Sequence, residues 1–319
     1  MRAGGSALSL LATPFSTRIL LALAEGPRPS ERLREAVGSP PAPTMRSHLQ
    51  ALTRRGLLRR SERGDAKGTV TYDLAGSGQD LLQVGEALAA WLAAGPAGPL
   101  ELGSEVAAAA IRALVEAWAV NLVRIVASQP CSVDELAKLI QELDRAALQR
   151  RLATLLQLGL LEETAFEDHS SPRHAPTAWL RRSVGPLAAG ASWERRHLPT
   201  ATTPIDRYDV ETAFLLTVPL LHLRAERSGR CRLAVELPDG AGEATPVGVL
   251  VDVSEGEVAR CATRLAGAAQ AWVAGSPRAW LLAVIEGDLS GLQLAGEEDL
   301  ATDIVWAIHA ELFDSPPPG

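Results

Sequence analysis

Four side chains in one short stretch have the chemistry to read a nucleic acid. Thr44, Arg46, Ser47 and Gln50 share the outer side of a segment whose Met45, Leu49 and Leu52 recur at i, i+4 and i+7, the spacing of an inward helix face. Arginine matches the paired acceptors of guanine, and glutamine matches the donor and acceptor of adenine. Arg54, Arg55, Arg59, Arg60, Arg63 and Lys67 follow as a basic run suited to phosphates, which supply affinity without sequence preference. Arg60, Arg63 and Lys67 are the candidate phosphate contacts.

Enzymatic chemistry has no comparable constellation. The chain lacks a GxSxG elbow, a P-loop, an HExxH and a GxGxxG. No catalytic activity and no cofactor are therefore expected. His169 and His174 flank a Ser-Ser-Pro-Arg turn beside Asp168, but without the second ligand pair of a zinc site, so no metal is expected. His222 and His309 lie in apolar stretches and read as core or interface side chains of helices. Cys131, Cys231 and Cys261 are few, odd in number and far apart, which fits reduced thiols in a cytoplasmic protein.

The elements that position Thr44–Gln50 are legible from punctuation. An apolar helix around Ile19–Leu23 stops at Glu25-Gly26-Pro27. Ser30 reads as the N-cap of a short helix over Glu31–Val37. After a Ser-Pro-Pro-Ala-Pro turn, a third helix starts near Thr44 and ends at Gly56. Leu57-Leu58 opens a strand, SERGDAKG reads as a hairpin tip, and TVTYDL returns. A long helix over Gln79–Ala93 closes the unit. The N-terminal stretch MRAGGSALSLLATPFSTRILLALAEG reads as this unit's first helix and not as a targeting signal, because Arg18 interrupts it.

The same grammar recurs. Residues 18–60 align without a gap to residues 121–163 at an offset of 103, with Pro27/Pro130, Leu33/Leu136, Leu49/Leu152, Leu52/Leu155 and Gly56-Leu57-Leu58/Gly159-Leu160-Leu161 identical. The second copy predicts a third helix near Arg145–Leu156 and a return strand near Pro176–Leu180. Gln149 and Arg150 are its outward candidates. Its wing carries Glu162, Glu163, Glu167 and Asp168, which oppose a phosphate backbone. Either this copy docks by its helix alone, or it is a scaffold for the first.

Charge follows the same division. The net charge of −7 splits into 12 Lys/Arg against 8 Asp/Glu in residues 1–99, 11 against 12 in 100–200, and 8 against 18 in 201–319. A basic head on an acidic body fits an anion-binding N-terminus. Only Lys67 and Lys138 are lysines, a composition pointing to a high-GC bacterial genome. No apolar run is long enough to span a bilayer, so no membrane partner is expected.

The order helix–helix–turn–helix–hairpin is that of a winged helix-turn-helix. The stretch PFSTRILLALAEGPRPSERLREAVGSPPAPTMRSHLQALTRRGLLRR, followed by YDLAGSGQDLLQVGEALAAW, resembles the HxlR branch of these regulators, near MarR. The resemblance implies double-stranded DNA as partner and a homodimer formed through terminal helices. With two copies in one chain, it equally implies a monomer with an internal pseudo-dimer.

The last third reads differently. Residues 207–225 suit an amphipathic helix. RCRLAVEL, PVGVLVDV, EVARCATRL and AAQAWVAG alternate as strands, with GLQLAG a further short one. SPRAWLLAVIEGD reads as a helix capped by Ser276, and EEDLATDIVWAIHAELF as a closing helix. This order, with TRLAGAAQAWVAGSPRAWLLAVIEGDLSGLQLAG, resembles the sterol-carrier-protein type of lipid-binding domain. The resemblance implies an apolar pocket between sheet and helices for a small hydrophobic or aromatic ligand, with Trp272, Trp280, Leu281, Val284, Ile304, Trp306 and Ile308 as its candidate lining.

The expected molecule is thus α+β: two tandem winged helix-turn-helix domains (1–98 and 99–200) and a sandwich-like sterol-carrier-type domain (201–319). The expected activity is ligand-modulated DNA binding in transcription regulation. The alternative is sequestration of a hydrophobic compound, with the winged units as scaffold.

Overall fold

The computed structural model describes residues 2–62, 70–141, 143–164, 171–198, 203–238 and 244–313. The N-terminal apolar run forms two helices where the sequence suggests one. α1 (Gly5–Leu11) and α2 (Pro14–Ala24) meet at 84°. Pro14 causes the break: it lacks an N–H and drives Thr13 into an extended conformation (φ −102°, ψ 96°).

β1 (Arg28–Pro29), α3 (Ser30–Ala36), α4 (Ala42–Arg54), β2 (Leu58–Glu62), β3 (Val70–Leu74) and α5 (Gly76–Ala93) complete the first unit. The strands form an antiparallel sheet in the order β1-β3-β2. Ser30 is the first helical residue of α3, behind Pro29, and makes no capping bond, contrary to the N-cap expectation. α4 begins two residues before Thr44, because Pro43 in its first turn forfeits only an N–H that has no partner there. Gly56 takes φ +73° beyond the end of α4, and Leu57 N–H then bonds Leu52 O at 3.0 Å.

The second stretch comprises α6 (Glu105–Ala119), α7 (Leu122–Ser128), α8 (Val133–Leu139), α9 (Arg145–Gln157), β4 (Leu161–Thr164), β5 (Arg173–Pro176), α10 (Ala178–Arg182) and α11 (Val184–His197). Both ends of α8 and α9 fall 103 residues after those of α3 and α4. Gly159 repeats the turn of Gly56 at φ +74°, and the Cys131–His174 bridge stands where Arg28 pairs with Tyr72. The return strand ends at Pro176, earlier than expected; Thr177 caps α10 instead, accepting from Leu180 N–H.

The two stretches share one core, running from Ala7 to Leu216. Its centre is the packing of α5 on α11. Trp91 and Trp179 stack at 4.5 Å and exchange indole-to-carbonyl hydrogen bonds of 2.8 and 2.7 Å. Trp193 donates to Ser77 O at 2.8 Å. After the wings the register offset is 102 (Leu58 pairs with Leu74, Leu161 with Pro176), which matches Trp91 to Trp193 and Ser77 to Trp179. The bonds Trp91 to Trp179 and Trp193 to Ser77 therefore exchange under a local two-fold, the signature of an isologous contact. Gly4 and Gly190 let α1 dock on α11 backbone to backbone; a Cβ on Gly4 would strike Leu187 O. No single described helix is long and apolar enough to cross a membrane.

The C-terminal part has a second core, from Val210 to Ile308. α12 (Arg207–Thr217) is shorter than expected, since Pro219 permits only a 3-10 turn after it (Val218–Leu220). β6 (Gly229–Pro238), β7 (Ala244–Ser254), β8 (Glu257–Ala262), β9 (Ala271–Gly275), α13 (Pro277–Glu286), β10 (Gln293–Gly296) and α14 (Glu298–Phe313) follow. The sheet order is β10-β9-β6-β7-β8, with β6 and β9 parallel and the remaining pairs antiparallel. Leu233, Val249, Val251 and Val273 face inward, fully buried, and α12, α13 and α14 pack on the sheet. Ser276 caps α13 by accepting from Ala279 N–H.

Candidate nucleic-acid interface

α4 turns Met45, Leu49 and Leu52 into the core and leaves Thr44, Arg46, Ser47 and Gln50 exposed. The hydrophobic spacing fixes this orientation, because burying those three side chains dictates which others meet water. Arg46 has no hydrogen-bond or ion-pair partner among the described residues, so its guanidinium is available to a ligand. Arg63 and Lys67 lie outside the described residues.

Beside α4 runs an open groove bounded by α3 and the sheet. Arg32, Arg34, Arg46, Arg54 and Arg60 all line it, with Glu31 as the one carboxylate among the described residues. Arg32 and Arg34 come from α3, a contribution that the sequence reading missed. Their signal was the SERLREA helix itself, with two arginines on one short element. Arg59 lies on β2 and pairs with Asp73 across the hairpin at 2.9 Å. This arrangement presents a hydrogen-bonding helix face flanked by cations, the combination that seats a helix in a major groove with phosphates held on either side.

The second stretch keeps the scaffold and loses the cations. At the offset of 103, Arg32, Arg34, Arg46, Arg54 and Arg60 become Glu135, Ala137, Gln149, Gln157 and Glu163. Gln149 and Arg150 are exposed on α9. Around them, Arg145 is engaged by Asp134 at 2.6 Å, Arg151 reaches Glu116 at 3.4 Å, and Glu162 and Glu163 lie exposed on β4. Glu167, Asp168 and His169 lie outside the described residues. His174 is buried, and no cluster of metal-binding side chains occurs among the described residues.

The expected ligand pocket is only partly assembled. Trp280, Leu281, Val284 and Ile308 line one narrow apolar slot of about 120 Å³ where α11 meets α12 and α13. Trp272 does not join them: strand alternation sends it to the open face of β9, 42 % exposed, while Ala271 and Val273 face the core. Ile304 is fully buried packing, and Trp306 lies over Gly287 at the end of α13. His309 is buried, its Nδ1 2.8 Å from Val284 O. His222 follows the 3-10 turn instead of lying in a helix, and its exposed ring meets Glu257 at 3.1 Å.

No curated protein matches the chain. Residues 10–95, from the end of α1 to just beyond α5, match the HxlR-like helix-turn-helix family.

Proposed function

We propose that this chain is a DNA-binding transcriptional regulator that reads its operator with the first unit. The observation carrying this reading is the exposed Thr44–Gln50 face set in a groove of five arginines. The family match over residues 10–95 supports it independently. In this reading residues 121–183 form a second winged helix-turn-helix, supported by the matched ends of α8 and α9. The exposed Glu162 and Glu163 on its β4 make it a partner that holds the first unit through α5 and α11, in place of a second reader. A single chain thereby supplies a pseudo-symmetric pair with one cationic face, which suits an asymmetric site.

The finer reading includes modulation of DNA affinity by a small hydrophobic or aromatic ligand. Such a ligand acts by favouring one arrangement of the paired units. The test of DNA binding is a gel-shift titration against DNA from the protein's own gene neighbourhood across salt concentrations. Affinity is expected to fall steeply with salt, as phosphate contacts release counterions. Arg46→Ala is expected to cost about 1–3 kcal/mol and relax base preference, whereas Arg60→Ala weakens all sequences alike. Gln149→Ala with Arg150→Ala is expected to change affinity far less. Equal losses from the two helices would sink the unequal assignment, and absence of binding at every salt would sink the regulator reading.

A further inference from the structure

The slot beneath α12 has a built character. Val210, Ala213, Phe214 and Thr217 lie along it at i, i+3, i+4 and i+7, so it follows one helix face. Asp209 and Thr217 mark its two ends, eight residues or about 12 Å apart along the helix. Between them the walls are almost wholly apolar, with Trp118 and Trp280 among them. The slot lies on the seam of the molecule: α11 and Trp118 belong to the N-terminal core, whereas α12 and α13 belong to the C-terminal one.

Thr217 is 2 % exposed, and its hydroxyl has no hydrogen-bond partner. An orphaned buried hydroxyl costs about 1–3 kcal/mol, so it calls for an occupant. The indoles on the wall are engaged: Trp118 Nε1 bonds Asp209 at 3.2 Å and Trp280 Nε1 bonds Ala234 O at 2.8 Å. A resident water needs two to four polar partners, which an apolar wall does not supply. At the other end Asp209 accepts from Trp118 and from Asp206 N–H, and burial pushes its carboxyl up. With both oxygens already accepting, that carboxyl offers an anionic ligand no donor. The volume also selects: about 120 Å³ is close to the roughly 150 Å³ of an engineered apolar cavity that binds benzene, which sets the scale at a single ring.

We infer that the slot between α11, α12 and α13 binds a small neutral molecule of single-ring size with one hydroxyl, which bonds Thr217. It excludes sterol-sized ligands and carboxylates. The inference deepens the ligand-modulated reading and rests on it only for any effect on DNA; binding itself is read on the protein alone.

The test is isothermal titration calorimetry of the full chain with 4-ethylphenol, ethylbenzene and 4-ethylbenzoate. The phenol is expected to bind, the hydrocarbon to bind more weakly, and the benzoate not to bind. Thr217→Val keeps the side-chain shape and is expected to weaken the phenol about 3- to 10-fold, the worth of one neutral hydrogen bond, while leaving ethylbenzene unchanged. Ala213→Leu fills the slot and is expected to abolish binding, with circular dichroism confirming that it folds. No heat with 4-ethylphenol, equal phenol affinity in Thr217→Val, unchanged binding in folded Ala213→Leu, or benzoate binding as tightly as the phenol would each overturn the inference. Salt-dependent gel shifts without any probe test the DNA reading separately, so either result can fail alone.

Discussion

His174 holds in the second stretch the place of Tyr72 in the first. Both its ring nitrogens are buried without partners. Burial pushes the imidazole below its ordinary 6.5, against a smaller upward pull from Glu163, its pair across β4 and β5. The folded chain therefore holds the ring neutral, and unfolding lets it take a proton. Its contribution to stability is complete above pH 6.5 and is lost as the pH falls below that value. His174→Phe is expected to flatten the decline of thermal stability between about pH 7 and 5. Asp209, pushed the opposite way, is common to both proteins and cancels in the comparison. Parallel declines would show that His174 is not the titrating group. The sequence marked His174 as a loose metal candidate; only the fold reveals that its nitrogens are buried without a partner among the described residues.

At the scale of elements, the second stretch caps the first. α1 begins at a left-handed Gly4 with no side-chain cap of its own. Glu194 of α11, 1 % exposed, supplies one, accepting from Gly4 N–H at 3.0 Å and Ala7 N–H at 2.9 Å. A carboxylate at a helix N-terminus satisfies orphan donors and meets the positive end of the dipole. Glu194→Ala strands two buried donors and is expected to cost about 2–4 kcal/mol, measured by denaturant unfolding. A loss below about 1 kcal/mol in Glu194→Ala would mean that α1 is not held by this cap. Element identities in this region were largely readable, because hydrophobic period and turn residues act locally. The errors came where a proline acted: Pro14 split one apparent helix, Pro43 moved the start of α4, and Pro219 shortened α12.

Across the whole molecule, the described residues form two hydrophobic cores, the first spanning the expected domains 1–98 and 99–200. The first unit and the second stretch bury Trp91, Trp179 and Trp193 in common. Residues 7–198 are therefore expected to melt as one cooperative unit and residues 203–313 as another, giving two calorimetric transitions. Three separable transitions, with the first unit leaving alone, would show that the α5–α11 packing does not couple the copies.

The sequence by itself determined the repeat, the inward stripe of α4 and the outward positions of Thr44, Arg46, Ser47 and Gln50. Those follow from periodicity, which any chain must obey to bury its apolar face. It also carried the contrast between a basic first wing and an acidic second one. Only the tertiary structure decided that arginines from α3, α4 and β2 converge on one groove, because convergence depends on packing angles between elements. It likewise separated Trp272 from Trp280, which composition treats alike: alternation along β9 turns Trp272 outward, whereas α13 buries Trp280. The reciprocal bonding of Trp91 and Trp193, each to the backbone of the other stretch, is a third such decision. It relies on contacts between residues some hundred positions apart, which no local pattern encodes.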